Sequence, residues 1–101
     1  MRLLTKTLLK RFAKVGAQDI PDPIVLAHYF NPCGSGDWYA TAYLPEENTI
    51  FGWAEVIPGC GEWGYTSIDE LQSYKGPLGL GIERDLYWGE KRASQVKQIN
   101  K

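Results

Sequence analysis

Short stretches rich in β-branched and aromatic residues alternate with turn-forming clusters, and this rhythm restricts the chain more than any other feature. Ile24–Phe30 runs into Asn31-Pro32-Cys33-Gly34-Ser35-Gly36-Asp37, Trp38–Leu44 into Pro45-Glu46-Glu47-Asn48, and Thr49–Ile57 into Pro58-Gly59-Cys60-Gly61. Glu62–Thr66 is a short fourth strand, and Ile82–Trp88 is a fifth strand or an ordered edge segment. Links this short cannot carry a crossover helix, so the strands form an antiparallel meander. In the second strand, strict alternation places Tyr39, Thr41 and Tyr43 on one face and Trp38, Ala40, Ala42 and Leu44 on the other. The alanines suit a face closely covered by a helix. Gly52 inside the third strand marks a bulge or a close backbone approach.

The helices have their own signals. Leu4, Leu8, Phe12 and Val15 share one helical face over residues 5–15. Thr5 suits the N-cap and Gly16 the stop, and Arg2, Lys6, Lys10 and Lys14 form the opposing stripe. Pro21 and Pro23 make an extended connector. Ser67 with Glu70 forms a capping-box pattern that predicts a short helix over 68–74, ended by Gly76-Pro77-Leu78-Gly79-Leu80-Gly81. Residues 90–101 are polar and read as a frayed helix or mobile tail. The expected fold is α+β. An antiparallel four- to five-stranded meander carries the N-terminal amphipathic helix on one face, with a short helix before the last strand. The 101 residues fit one domain, 1–101.

With 44% hydrophobic residues the chain can close a core unaided, and a net charge of −1 gives no reason for disorder. No apolar run is long enough for a membrane span, and the N-terminus lacks an uninterrupted apolar signal segment. The expected setting is the cytoplasm, with Cys33 and Cys60 as reduced thiols and no bridge. Charge is segregated: both ends are basic, while residues 15–89 carry only Lys75 and Arg84 against an excess of acids. The plain reading is solvation, or docking of the ends on the body. The sharper one is an acidic surface for a basic partner.

Candidates for chemistry are few. His28 lies mid-strand among apolar neighbours, as a buried or half-buried structural histidine does. No C-x-x-C or H-x-x-x-H pairing is present, so no metal is expected. Gly34-Ser35-Gly36 and Gly79-Leu80-Gly81 do not extend into nucleotide-binding loops, and no cofactor is expected. The densest polar cluster is Glu83-Arg84-Asp85. Its carboxylates could divide acid and base roles, with Arg84 clamping an anion and Glu62 assisting. That reading requires a concave pocket and a raised carboxylate pKa. The plainer reading pairs Arg84 with Glu62, Asp69 or Glu70. Tyr39, Tyr43, Trp53, Trp63 and Tyr65 form a second candidate, an aromatic contact face of the sheet. The strands carry Glu55 and Glu62 and no basic residue, which favours a protein over a nucleic acid there.

Trp38-Tyr39-Ala40-Thr41, Phe51-Gly52, Gly64-Tyr65, Ser67 with Glu70-Leu71, and above all Gly76-Pro77-Leu78-Gly79-Leu80-Gly81-Ile82-Glu83-Arg84-Asp85-Leu86-Tyr87 resemble a bacterial family known as domain of unknown function 2958. The likeness runs from about residue 3 to residue 88, with Gly59-Cys60-Gly61 and Trp63 as departures. The resemblance supplies no activity and no catalytic residue. It implies a setting among accessory genes of plasmids, integrative elements and phages, often near antirestriction genes.

Three functions are therefore carried forward. The first is a non-enzymatic protein-interaction module of a mobile element, anti-defence among its roles, using the aromatic face and the loop at 76–85. The second is a small hydrolase or transferase using Glu83, Arg84 and Asp85. The third is nucleic-acid binding through the basic helix at 2–14, which is not favoured. The oligomeric state stays open.

Overall fold

The computed structural model describes residues 1–100. Helix α1 spans Lys6–Val15. It begins where the Thr5 hydroxyl accepts the Leu8 N–H at 3.1 Å, a side-chain cap on a donor the helix itself cannot satisfy. It ends at Gly16, whose φ of +68° a side chain would oppose. Leu4, Leu8, Phe12 and Val15 all face the sheet.

Seven strands follow the turn rhythm: β1 Ile24–Val25, β2 Ala27–Phe30, β3 Asp37–Leu44, β4 Thr49–Glu55, β5 Glu62–Ser67, β6 Glu83–Arg84 and β7 Lys91–Arg92. Five form one antiparallel sheet in the order β5-β4-β3-β2-β6, and β1 pairs with β7 in a separate ribbon. Helix α2, Ile68–Ser73, lies between β5 and β6 and is capped by the Ser67 hydroxyl, which accepts the Glu70 N–H. The architecture is the expected α+β fold.

The faces of β3 do not follow strict alternation. Ala40 pairs with Gly52, but Ala42 pairs with Phe51, so Thr41 is an extra residue in the strand. A bulge of this kind reverses the parity of everything beyond it. Tyr43 therefore turns to the helix side, 6.0 Å from the Phe12 ring, while Tyr39 stays on the opposite face. Gly52 makes the bulge feasible: a Cβ there would collide with the Tyr39 carbonyl.

The sheet has a core on each side. Between the helices and the sheet lies a core of Leu3, Phe12, Tyr29, Trp38, Ile50, Ile68, Leu71 and Ile82. On the second face Val25, Tyr39 and Trp53 are covered by Ala93 and Val96, with Trp88 and Ile99 alongside. This corrects the expectation of a mobile tail over 90–101. Through residue 100 the segment is packed, and Lys101 lies outside the described residues. Ala93, Val96 and Ile99 recur every third residue, and consecutive bonds from Val96 N–H to Ala93 O and from Ile99 N–H to Val96 O keep them in line. Asp22 anchors the segment by accepting both the N–H and the hydroxyl of Ser94.

Candidate functional site

The most connected polar group sits on the second face, around His28. Pairing of β2 with β3 sets His28 opposite Tyr39, and the two rings stack 4.5 Å apart. Asp85 follows β6 and donates its N–H to the His28 carbonyl. The imidazole lies between two carboxylates. Nε2 is 2.7 Å from Asp37 Oδ1, and Nδ1 is 3.0 Å from Asp85 Oδ2. The Tyr39 hydroxyl donates to Gln98 Oε1, and Gln98 Nε2 donates to Asp37 Oδ2. Strand, turn and C-terminal segment are thus tied in one network.

Electrostatics follow the geometry. Burial raises the Asp85 carboxyl, but the His28 hydrogen bond, the Tyr87 N–H and the charges of His28 and Lys91 outweigh it, and the net direction is down. Burial, followed by the fields of Asp37, Asp85 and Glu55, pushes the Tyr39 hydroxyl up to about 12. Each ring nitrogen lies at hydrogen-bond distance from a carboxylate oxygen, so the imidazole is held from both sides. The group acts as a clamp, consistent with its place beneath Trp88.

The Glu83-Arg84-Asp85 cluster is divided. Glu83 and Arg84 pair with Phe30 and Tyr29 at one edge of the sheet. Glu62 lies in β5, the opposite edge, with three strands between, and cannot assist them. Arg84 forms none of the expected ion pairs among the described residues. Its Nε donates to the Arg2 carbonyl and its backbone N–H to the Met1 sulfur. Arg84 and Asp85 do line a cavity of about 290 Å³ against the start of α1, with Thr5, Leu8 and Trp88. The raised carboxylate that acid–base chemistry would need is absent at Asp85, which shifts the other way.

The expected aromatic face is also divided. Tyr39 and Trp53 are only 7% and 8% exposed, sealed by the C-terminal segment, and Tyr43 belongs to the helix side. Trp63 and Tyr65 remain open at 42% and 68%, flanking Phe51 at ring distances of 6.2 and 4.9 Å.

The third surface is the loop at 76–85 expected from the sequence, extended by Leu86 and Tyr87, which sequence reasoning did not single out. Leu78 has φ 63° and ψ 15°, a left-handed backbone, and is 92% exposed. Its loop is closed by the Gly76 N–H on the Leu80 carbonyl at 2.8 Å and the Gly79 N–H on the Gly76 carbonyl at 3.1 Å. A side chain at Gly81 would press on the Tyr74 carbonyl. Leu86 is exposed as well, and Tyr87 is 96% exposed. The signal in the sequence was Leu78 and Leu80 set among three glycines, which bring no side chains to cover them.

Among the described residues, no cluster of His, Cys, Asp and Glu could hold a metal ion, both cysteines are free, and no helix is long and apolar enough to cross a membrane. The family model described as protein of unknown function (DUF2958) matches residues 2–97. No curated protein and no solved structure matches the chain.

Proposed function

We propose, from the premise that the chain belongs to the DUF2958 family of proteins of unknown function, that it is a non-enzymatic protein-binding module. Its contact surface is the loop 76–87. The observation that carries this reading is Leu78. A left-handed backbone costs a leucine roughly 1–2 kcal/mol, and an exposed leucine forgoes roughly 1.5–3 kcal/mol of burial. Within the fold neither cost is offset, since the side chain is almost fully in water. Such strain is informative about use when the surrounding frame holds it in place, and here glycine hydrogen bonds do so. A rigid apolar tip of this kind loses little freedom on entering an apolar pocket of a partner. The partner proposed is a protein of the host or of a mobile element, the setting the family resemblance implies.

Against catalysis stand the commitment of Asp85 to His28, its lowered pKa and the distance of Glu62 from the cluster. Against nucleic-acid binding by α1 stands the bidentate bond of Arg11 to Glu90, at 2.8 Å on each side, which neutralises one of the basic residues of that helix.

Leu80→p-benzoylphenylalanine, irradiated in cells, tests the reading. One discrete protein adduct is expected, its yield falling about tenfold when Leu78→Asn is added. Absence of a discrete adduct, or indifference to Leu78→Asn, overturns it.

A further inference from the structure

We propose that the chain forms a two-fold dimer by antiparallel pairing of β5 with β5 of a second copy. This surface is separate from loop 76–87, and the inference stands without that reading. Strand β5 is an edge of the five-stranded sheet. Its inner side pairs with β4 from Glu62 to Ser67. Among the described residues, no loop or side chain supplies a hydrogen bond to the backbone of Glu62–Thr66 on its outer side. Edge strands are normally blunted by proline, lysine, a bulge or a covering segment. Glu62-Trp63-Gly64-Tyr65-Thr66-Ser67 has no proline and no lysine, and its ladder with β4 runs without a register shift.

The residues themselves select a second copy as the occupant. In an antiparallel ladder, opposed residues turn their backbone groups both inward or both outward. Two copies of one strand can therefore pair only residues whose numbers add to an even total. The register centred on Gly64 satisfies this rule. It sets Trp63 opposite the second copy's Tyr65, and the reverse, on one face of a continuous sheet. These are cross-strand aromatic pairs, which stabilise sheets. Glu62, the only charged residue of β5, meets Thr66, so no like charges face each other. Gly64 lies on the axis, where a Cβ would have no neighbour within 4 Å and nothing separates the strands. The half-exposed Trp63 and the more exposed Tyr65 gain cover. A formal net charge of −1 means that two copies scarcely repel. A basic peptide would find a single carboxylate along this strand. The opposite edge, β6, has two residues, and its Arg84 N–H is taken by the Met1 sulfur, so assembly ends at the dimer.

Sedimentation equilibrium of the full chain is expected to show mass rising with concentration from 11.4 kDa toward twice that value. Tyr65→Lys should weaken association roughly tenfold or more, with the melting temperature of the dilute, monomeric chain unchanged. Gly64→Cys, in a Cys33→Ser, Cys60→Ser background, should oxidise to a covalent dimer, because position 64 faces itself across the axis. A single-chain mass at every concentration overturns the proposal. So does a dimer that Tyr65→Lys leaves intact, or one that Gly64→Cys fails to trap.

Discussion

At Leu78 a left-handed backbone and an almost fully exposed apolar side chain fall on one residue. Asparagine tolerates the left-handed region better than leucine. Leu78→Asn is therefore expected to leave stability unchanged or raise it by up to about 1 kcal/mol in urea titrations, whereas Leu71→Ala, in the helix-side core, should cost roughly 2–5 kcal/mol. Tyr39 provides a second residue-scale expectation. Burial, then Asp37, Asp85 and Glu55, raise its hydroxyl from 10.0 to about 12 in the fold. The unfolded chain thus loses this proton first as pH rises. The contribution of Tyr39 is complete below pH 10.0 and is lost between 10.0 and about 12. Tyr39→Phe should flatten that part of the alkaline stability profile, read as urea midpoints against pH. The polar residues around Tyr39 show what the sequence could and could not disclose. Asp85 stood out as one of a carboxylate pair. Its contact with His28, 57 positions away, has no local sequence signal, because it depends on β6 lying beside β2.

Element by element, legibility followed the strength of local periodicity. Helix α1, its Thr5 cap and its Gly16 stop could be read because apolar spacing and cap chemistry agree. The two faces of β3 could be read only as far as Ala40. Thr41 is inserted without changing residue chemistry, so alternation continued to predict the wrong face for Tyr43. The one trace of the bulge was Gly52, the only residue without a Cβ to strike the Tyr39 carbonyl. Gly52→Ala is accordingly expected to cost about 3 kcal/mol, since the obstruction is backbone and has no rotamer by which to move away. Calorimetric melting checks this, and a change below about 0.5 kcal/mol would mean that the strands separate freely at the bulge. The C-terminal segment is illegible in the sequence for a related reason. Its apolar residues number three among polar ones, and a period of three in short turns matches neither helix nor strand templates.

For the molecule as a whole, the sheet is shared between two cores, and Trp38 and Tyr39 join them. Adjacent in β3, they enter opposite cores, so β3 cannot lose its place on one side and keep it on the other. The Cα radius of gyration, 12.8 Å, matches the roughly 13 Å of a compact domain of this length, and Ala93, Val96 and Ile99 hold residues 91–100 against the second core. One cooperative unit should result. Phe12→Ala, on the helix side, is expected to cost roughly 3–5 kcal/mol. Val96→Ala, on the other, should cost roughly 1–3 kcal/mol. Both should move a single calorimetric transition whose calorimetric and van't Hoff enthalpies agree. Because the two side chains lie on opposite faces with no shared contact, their effects in the double variant should add to within about 0.5 kcal/mol. If residues 91–100 opened independently, Val96→Ala would create an early, separate transition and leave the main one unmoved. The clamp of His28, Asp37 and Gln98 would then be a surface latch, and not part of what holds the sheet together.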